Sequence, residues 1–284
     1  MSNIKYQRMK VNILSILAPQ LAGKLATKLF SKSRNTANEY SKALIPMGAY
    51  CEKIASPEHR VENIYIWGDS GDIVLLVHGW GANCSSMFGF VQSLLDQGFR
   101  VATFDAPAHG CTPGEYTTMR EFTKAAEHII KQLGDVRHIV AHSLGSIVGM
   151  AVSAKNPNIE SITIVSAPVS LSDVLDIWSS NSIEISDFIR QRVLSQLLKD
   201  NGVPVSYWDL GLLARDWVKP VLVIHDDDDD VVGFHADKIK NFFPTGEIRL
   251  TEGLGHAKIL MSKQVHNFVS DFITTPVQQR DAAI

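Results

Sequence analysis

The sequence is short of several things, and each shortage excludes a class of protein. It has three cysteines, Cys51, Cys84 and Cys111, widely spaced and with no C-x-x-C pair. A disulfide framework or a structural zinc site is therefore not expected, and the chain suits a reducing, cytoplasmic compartment. No apolar run approaches the roughly 20 residues needed to cross a bilayer. No glycine-rich phosphate loop or dinucleotide fingerprint is present, so no nucleotide, flavin or other cofactor is called for. No internal repeat or low-complexity linker breaks the chain. Acid is missing from the first 38 residues, which hold seven of the 27 Lys and Arg; the other 20 share the rest of the chain with all 30 Asp and Glu. The body is thus acidic, which argues against a nucleic-acid surface on it.

What is present suits one α/β domain with an insertion, since 284 residues bury a large core. Residues 1–60 read as a basic amphipathic helical extension, with two short helices separated at Pro19 and a connecting helix and loop over 36–60. Ile13, Leu14, Leu17, Leu21, Leu25 and Leu29 recur there at helical intervals with lysines between them. A signal peptide would need a longer apolar region. Two readings stay open for residues 1–35: peripheral contact with anionic lipid at the inner face of a membrane, or an arm packed on its own protein.

Val61 to Trp67 alternates as an antiparallel edge strand does, Asp69 to Asp72 supplies a hairpin turn, and Ile73 to Val77 is a fully apolar strand. From there strands and helices alternate. A helix covers Ser85 to Asp96, a strand Arg100 to Phe104, and a helix capped by Thr118-x-x-Glu121 runs to Leu133. Apolar strands follow at Ile139 to Ala141, Ser161 to Val165 and Pro220 to Ile224. This spacing means a mostly parallel twisted sheet flanked by helices. Between about 168 and 217 the strand rhythm stops and helical patterns take over, giving a small helical cap. The expected organisation is 61–167 and 218–275 as the two parts of the core, 168–217 as the cap and 276–284 as a tail.

Within this frame the stretch His138 to Ala154 carries chemistry. An apolar strand turns sharply through Ala141-His142-Ser143-Leu144-Gly145 into a helix whose Gly145, Gly149 and Ala154 leave one face nearly bare. A serine at such a corner stands clear of the sheet beside the first N–H groups of a helix, where a developing oxyanion is stabilised. The turn resembles the G-x-S-x-G nucleophile elbow of the α/β-hydrolase superfamily, with Ala141 in place of the first glycine. Downstream, Gly253-Leu254-Gly255-His256 looks like the segment carrying that family's general base. The Asp226 to Asp230 run after His225 resembles its H-G-x-x-D-x-x-V-P, with Asp226 where the family has glycine.

The resemblance, over roughly residues 61–272, implies the α/β-hydrolase fold and a serine hydrolase. Ser143 is then the nucleophile, His256 the base and Asp229 the acid, preferred over Asp228 and Asp230. The backbone N–H groups of Trp80 and Leu144 form the oxyanion hole. His78, Gly79, His142 and Trp178 are expected at the substrate pocket. A hydrated acidic loop is the bland alternative for the aspartates, and an EF-hand fits them poorly, so no metal is expected. The substrate implied is a small-molecule acyl ester, with thioester or C–C bond cleavage as alternatives by the same triad. The rival from another class is a catalytically silent, membrane-associated binding protein.

Overall fold

The computed structural model describes residues 2–33, 48–56, 58 and 60–275. Helices α1 (Ser2–Leu17) and α2 (Pro19–Phe30) come first, parted by Ala18 and Pro19. Strands β1 (Tyr50–Ser56), β2 (Val61–Trp67) and β3 (Ile73–Val77) follow. A 3₁₀ turn at Cys84–Phe90 leads into α3 (Val91–Leu95) and then β4 (Arg100–Phe104). Helix α4 (Met119–Leu133) carries the expected capping box at Thr118 and Glu121 and ends on Gly134 with φ 75°. The elbow lies between β5 (Val136–His142) and α5 (Leu144–Ser153), and β6 (Ser161–Val165) comes next.

The cap contains α6 (Leu171–Trp178), a π-type turn at Ser179–Ile183, α7 (Asp187–Asn201) and the short α8 (Leu210–Leu213). Strands β7 (Val221–Asp226) and β8 (Glu247–Thr251), with helices α9 (Ala236–Lys240), α10 (Gly255–Lys258) and α11 (Lys263–Thr274), complete the described chain.

The eight strands lie in the order β1-β2-β4-β3-β5-β6-β7-β8. From β4 to β8 all neighbours are parallel, while β1–β2 and β2–β4 are antiparallel. Strands β3, β6 and β7 are buried throughout, as expected of parallel strands covered on both faces. Ile73, Leu75 and Val77 face one apolar layer and Val74 and Leu76 the other, so the sheet divides two cores.

Three expectations need correction. Tyr50–Ser56 is a strand, so part of the segment assigned to a helical extension with a connecting helix and loop belongs to the sheet; residues 34–47 lie outside the described residues, as does the 276–284 tail. Val61–Trp67 is not the edge, because β1 pairs along its outer side. Nor do β2 and β3 form a paired hairpin: β2 pairs with β4, which lies between them. Most of β2 is buried, with Ile64 and Ile66 in one apolar layer and Tyr65 and Trp67 in the other, and a residue pattern does not name the partner strand.

The N-terminal helices are fixed to the cap. Ala22, Gly23, Ala26 and Thr27 form a buried small-residue face on α2. A Cβ on Gly23 would stand 2.5 Å from Arg192 Cβ, so glycine sets how closely α2 and α7 approach. Arg8 pairs with Glu184 of the cap, and Ser33 N–H donates to Glu115 O at 3.0 Å.

Candidate active site

The elbow is built by close packing. Ser143 has φ 53° and ψ −132°, outside the regions a serine ordinarily occupies, while its N–H still donates to Val165 O at 2.9 Å in line with the sheet. Such a conformation costs on the order of 1–3 kcal/mol and persists only where its surroundings enforce it. The surroundings here are glycines. A Cβ on Gly145 would run into the carbonyl oxygens of His78 and Val77, and one on Gly79 would lie 2.9 Å from Ser143 Cβ. The methyl of Ala141 is fully buried, and a Cβ on Gly149 would come within 3.1 Å of it. The methyl that departs from the family pattern thus occupies space left by the bare face of α5.

At the ends of β7 and β8 the remaining groups meet. His256 donates from Nδ1 to Asp229 Oδ2 at 2.8 Å. Asp229 is buried, and its Oδ1 accepts from the N–H groups of Val231 and Val232, each at 3.1 Å. His225 Nε2 approaches the same Oδ2 at 3.5 Å, too far or too poorly aligned for a hydrogen bond but close enough to favour the anion. Burial would raise the pKa of this carboxyl, yet the neighbouring His225 and His256 imidazoles and the Val232 N–H outweigh it and hold Asp229 well below the usual carboxylate range. Asp227, Asp228 and Asp230, by contrast, are exposed.

Asp226 has a role the sequence did not reveal. It is buried, and its oxygens accept from Gly255 N–H at 2.8 Å, Asp228 N–H at 3.1 Å, Leu254 N–H at 3.1 Å and the Thr251 hydroxyl at 2.6 Å. Burial opposes ionisation, but the Thr251 hydroxyl and the Gly255, Leu254 and Asp228 amides more than offset it, so its pKa is lowered. The carboxylate therefore ties the two residues before His256 to the end of β7. The carboxylates of Asp226, Asp227 and Asp228 come within 4.8 Å of one another. With Asp226 already saturated by donors, the cluster is a poor cation site. Only the family glycine expected at 226 could have flagged this residue.

Three buried histidines brace the loops around the elbow. His78 donates from Nδ1 to Gly79 O at 2.8 Å and accepts at Nε2 from Ala106 N–H at 3.1 Å. His109 reciprocates, accepting from Gly81 N–H at 2.9 Å and donating to Pro107 O at 2.9 Å. The loops after β3 and β4 are thereby clasped twice. His142 donates from Nε2 to His256 O at 2.9 Å, so it supports the histidine loop from beneath. Burial pushes the pKa of His78 down to about 4 and those of His109 and His142 down to about 3, keeping all three neutral.

Ser143, Leu144, His256 and Trp80 all line one cavity of about 550 Å³. No hydrogen bond joins Ser143 Oγ to His256 among the described residues, which is common before substrate binds. Gly81 N–H is taken by His109, while no described acceptor takes the Trp80 or Leu144 N–H. Trp178 lines the cavity and meets Phe30 edge-on at 5.4 Å. His78, Gly79 and His142 do not line it. Contrary to expectation they stand behind the wall, where His78 and His142 hydrogen-bond the neighbouring loops and Gly79 packs against Ser143. The cavity also has a wall no motif indicated: Ile4, Gln7 and residues 29–33 of the N-terminal arm form it together with cap residues such as Ile177, Ile183 and Leu197.

Comparison with known proteins fits this geometry. A family profile described as "Alpha/beta hydrolase family" matches residues 74–269. The pimeloyl-(acyl-carrier protein) methyl ester esterase of Neisseria meningitidis serogroup B is 33% identical over 85 residues, 30% of this chain and 32% of that protein. That of Methylococcus capsulatus is 32% identical over 96 residues, 34% of this chain and 37% of that protein. The chain therefore matches about a third of the length of these curated relatives. A Pyrococcus furiosus esterase superposes with a TM-score of 0.65 at 16% identity, covering 85% of this chain and 95% of that one. A bromoperoxidase from Bacillus anthracis gives 0.59 at 19% identity, covering 80% and 100%. At such identities these likenesses speak for the fold.

Proposed function

The chain belongs to the alpha/beta hydrolase family, and from that premise we propose that it hydrolyses carboxylic esters through Ser143, His256 and Asp229. The observation carrying this reading is the hydrogen bond from His256 to a buried, ionised Asp229 beside the cavity that Ser143 lines. A serine hydroxyl near neutral pH needs a base, and the base needs a partner that fixes its tautomer. With Nδ1–H given to Asp229, the lone pair of His256 is on Nε2, the nitrogen that takes the Ser143 proton.

In the first half-reaction Ser143 Oγ attacks the ester carbonyl carbon while its proton passes to His256 Nε2. The carbonyl oxygen becomes an oxyanion, met by the N–H groups of Trp80 and Leu144. Preorganised donors of this kind are worth on the order of 10²–10³ in rate each. Asp229 stays ionised and stabilises the imidazolium. Collapse of the intermediate expels the alcohol, which leaves with the proton from His256. Water then attacks the acyl-enzyme, with His256 as base once more, releasing the acid and restoring Ser143. The curated relatives act on a methyl ester by name, which supports the same bond here. The cavity of about 550 Å³ is within the usual range for small-molecule sites, and its walls of Leu29, Val174, Ile177, Ile183 and Leu197 suit an apolar acyl group.

A fluorophosphonate probe tests the reading on the purified protein. Labelling is expected on Ser143, absent in Ser143→Ala and strongly slowed in His256→Ala. An unlabelled wild-type protein, or labelling at full rate without His256, would leave a binding protein of hydrolase fold in its place. A series of nitrophenyl esters of increasing chain length then defines the acyl group.

A further inference from the structure

Helix α1 has two apolar faces. Val11 and Leu14 turn inward, the first fully buried, and pack on the molecule. Tyr6, Met9, Ile13, Ile16 and Leu17 recur at helical spacing on the opposite side and stay in solvent, with Ile16 83% and Leu17 76% exposed. Leu21, at the start of α2, is exposed as well. Lys5 and Lys10 flank it, and the first 38 residues carry seven basic and no acidic side chains. An exposed apolar stripe bordered by cations marks an interaction surface rather than ordinary exterior. The arm is thus packed on its own protein through one face and free to bind through the other, so the two readings of residues 1–35 are compatible.

We propose that this outer face docks on an anionic lipid surface, and that the ester hydrolysed is a lipophilic one drawn from that membrane. Charge selects the occupant. A second copy in a two-fold pairing would bring basic stripe against basic stripe, whereas anionic headgroups offer the opposite sign and acyl tails receive Ile13, Ile16 and Leu17. Position links the surface to the site. The same two helices supply Ile4, Leu29 and Phe30 to the wall of the catalytic cavity, and Ile4, 48% exposed, stands at its rim. The arm is bound to the cap through Gly23 against Arg192 and through Arg8 and Glu184, so docking through its outer face holds the whole body, with the cavity beside the arm, at the lipid surface. The claim on substrate rests on the esterase reading; the docking surface does not.

The test uses the full chain, with vesicles of phosphatidylglycerol or of phosphatidylcholine, and an Ile16→Glu/Leu17→Glu variant whose changes lie outside the cavity lining. Wild type is expected to sediment with phosphatidylglycerol vesicles, less so as salt rises, and only weakly with phosphatidylcholine. Half-immersion of each side chain is worth about tenfold in partitioning, so the variant should bind on the order of 100-fold more weakly. Phosphatidylglycerol vesicles should accelerate wild-type hydrolysis of an embedded palmitoyl ester but not that by the variant, while both turn over soluble nitrophenyl acetate equally. Failure of wild type to sediment, equal sedimentation of the variant, or binding to an acidic protein in place of vesicles would overturn the proposal. Vesicle binding with neither ester hydrolysed would instead overturn the esterase reading, and with it the claim on substrate.

Discussion

Replacing Asp226 by Asn tests the part of the site that stands furthest from any motif. The change keeps volume and removes charge. With its carbonyl oxygen in the place of Oδ1, the amide still accepts from Gly255 and Asp228; its NH₂ then faces the Leu254 N–H, donor against donor, and the Thr251 hydroxyl has to turn and accept. Leu254 N–H loses its 3.1 Å bond to Oδ2 and keeps only the 3.2 Å approach to Oδ1, at about 1–2 kcal/mol, and the surviving bonds lose their charge assistance. A loss of about 2–4 kcal/mol of stability is expected by urea unfolding. The loop bearing His256 is then held less firmly, so kcat should fall tenfold or more while KM, set by contacts elsewhere in the cavity, changes little. Thr251→Val is the control: it deletes one bond to the same carboxylate but leaves Leu254 and Gly255 anchored, so it should lower stability with little effect on kcat. An Asp226→Asn protein with wild-type kcat, or a Thr251→Val protein with an equal loss of kcat, would refute the positioning role.

Other consequences are checked as directly. Asp229→Asn should cost on the order of 10³- to 10⁴-fold in kcat by freeing the wrong imidazole tautomer, whereas Asp228→Asn and Asp230→Asn, at exposed positions, should stay within about threefold; steady-state kinetics on a nitrophenyl ester decides between them. His78, His109 and His142 are neutral when folded, with values pushed from 6.5 to about 4, 3 and 3. An unfolded chain binds protons there below pH 6.5, so their share of stability is complete above 6.5 and lost as the pH falls toward 4 and then 3. Each costs roughly 1.4 kcal/mol per pH unit in that window, and a flat urea midpoint between pH 7 and pH 4.5 would contradict their neutrality. Asp226 and Asp229, with lowered values, add their loss only further down, below the ordinary carboxylate range. Ala141→Gly should reduce stability by about 1 kcal/mol, since it empties filled space and loosens the unfolded backbone, with probe labelling of Ser143 unchanged; a strong loss of labelling would mean that the methyl shapes the turn itself.

Much of the fold was legible because its signals are local. The apolar runs at Ile73 to Val77, Ser161 to Val165 and Val221 to Ile224 read as buried parallel strands, and the Thr118 capping box, Gly134 and the bare Gly145-Gly149 face each report a constraint met within one turn of helix or one contact with its neighbour strand. The pairing of β2 was not legible, since periodicity says which face is buried and not which strand lies alongside. Strand β1 was hidden by a short, mixed sequence, Tyr50 to Ser56, in which Tyr50, Cys51, Glu52 and Lys53 are all exposed.

For the site, the sequence by itself determined residue types in order: a serine at a strand-to-helix corner, a carboxylate after a late strand and a histidine in a glycine-flanked loop, each recognised by its place relative to a strand end. The resemblance already preferred Asp229 among the five aspartates; what tertiary structure added is the surroundings of each. Asp229 is buried against His256, Asp226 faces the loop before it, and the other three point to solvent, a sorting set by how one chain turns at the end of β7. Likewise only the folded chain revealed that the basic arm lines the catalytic cavity with one face and leaves the other bare. Local pattern records what each residue tolerates on its own element; which distant element it meets depends on how those elements pack, and an amphipathic helix carries no mark of what covers it.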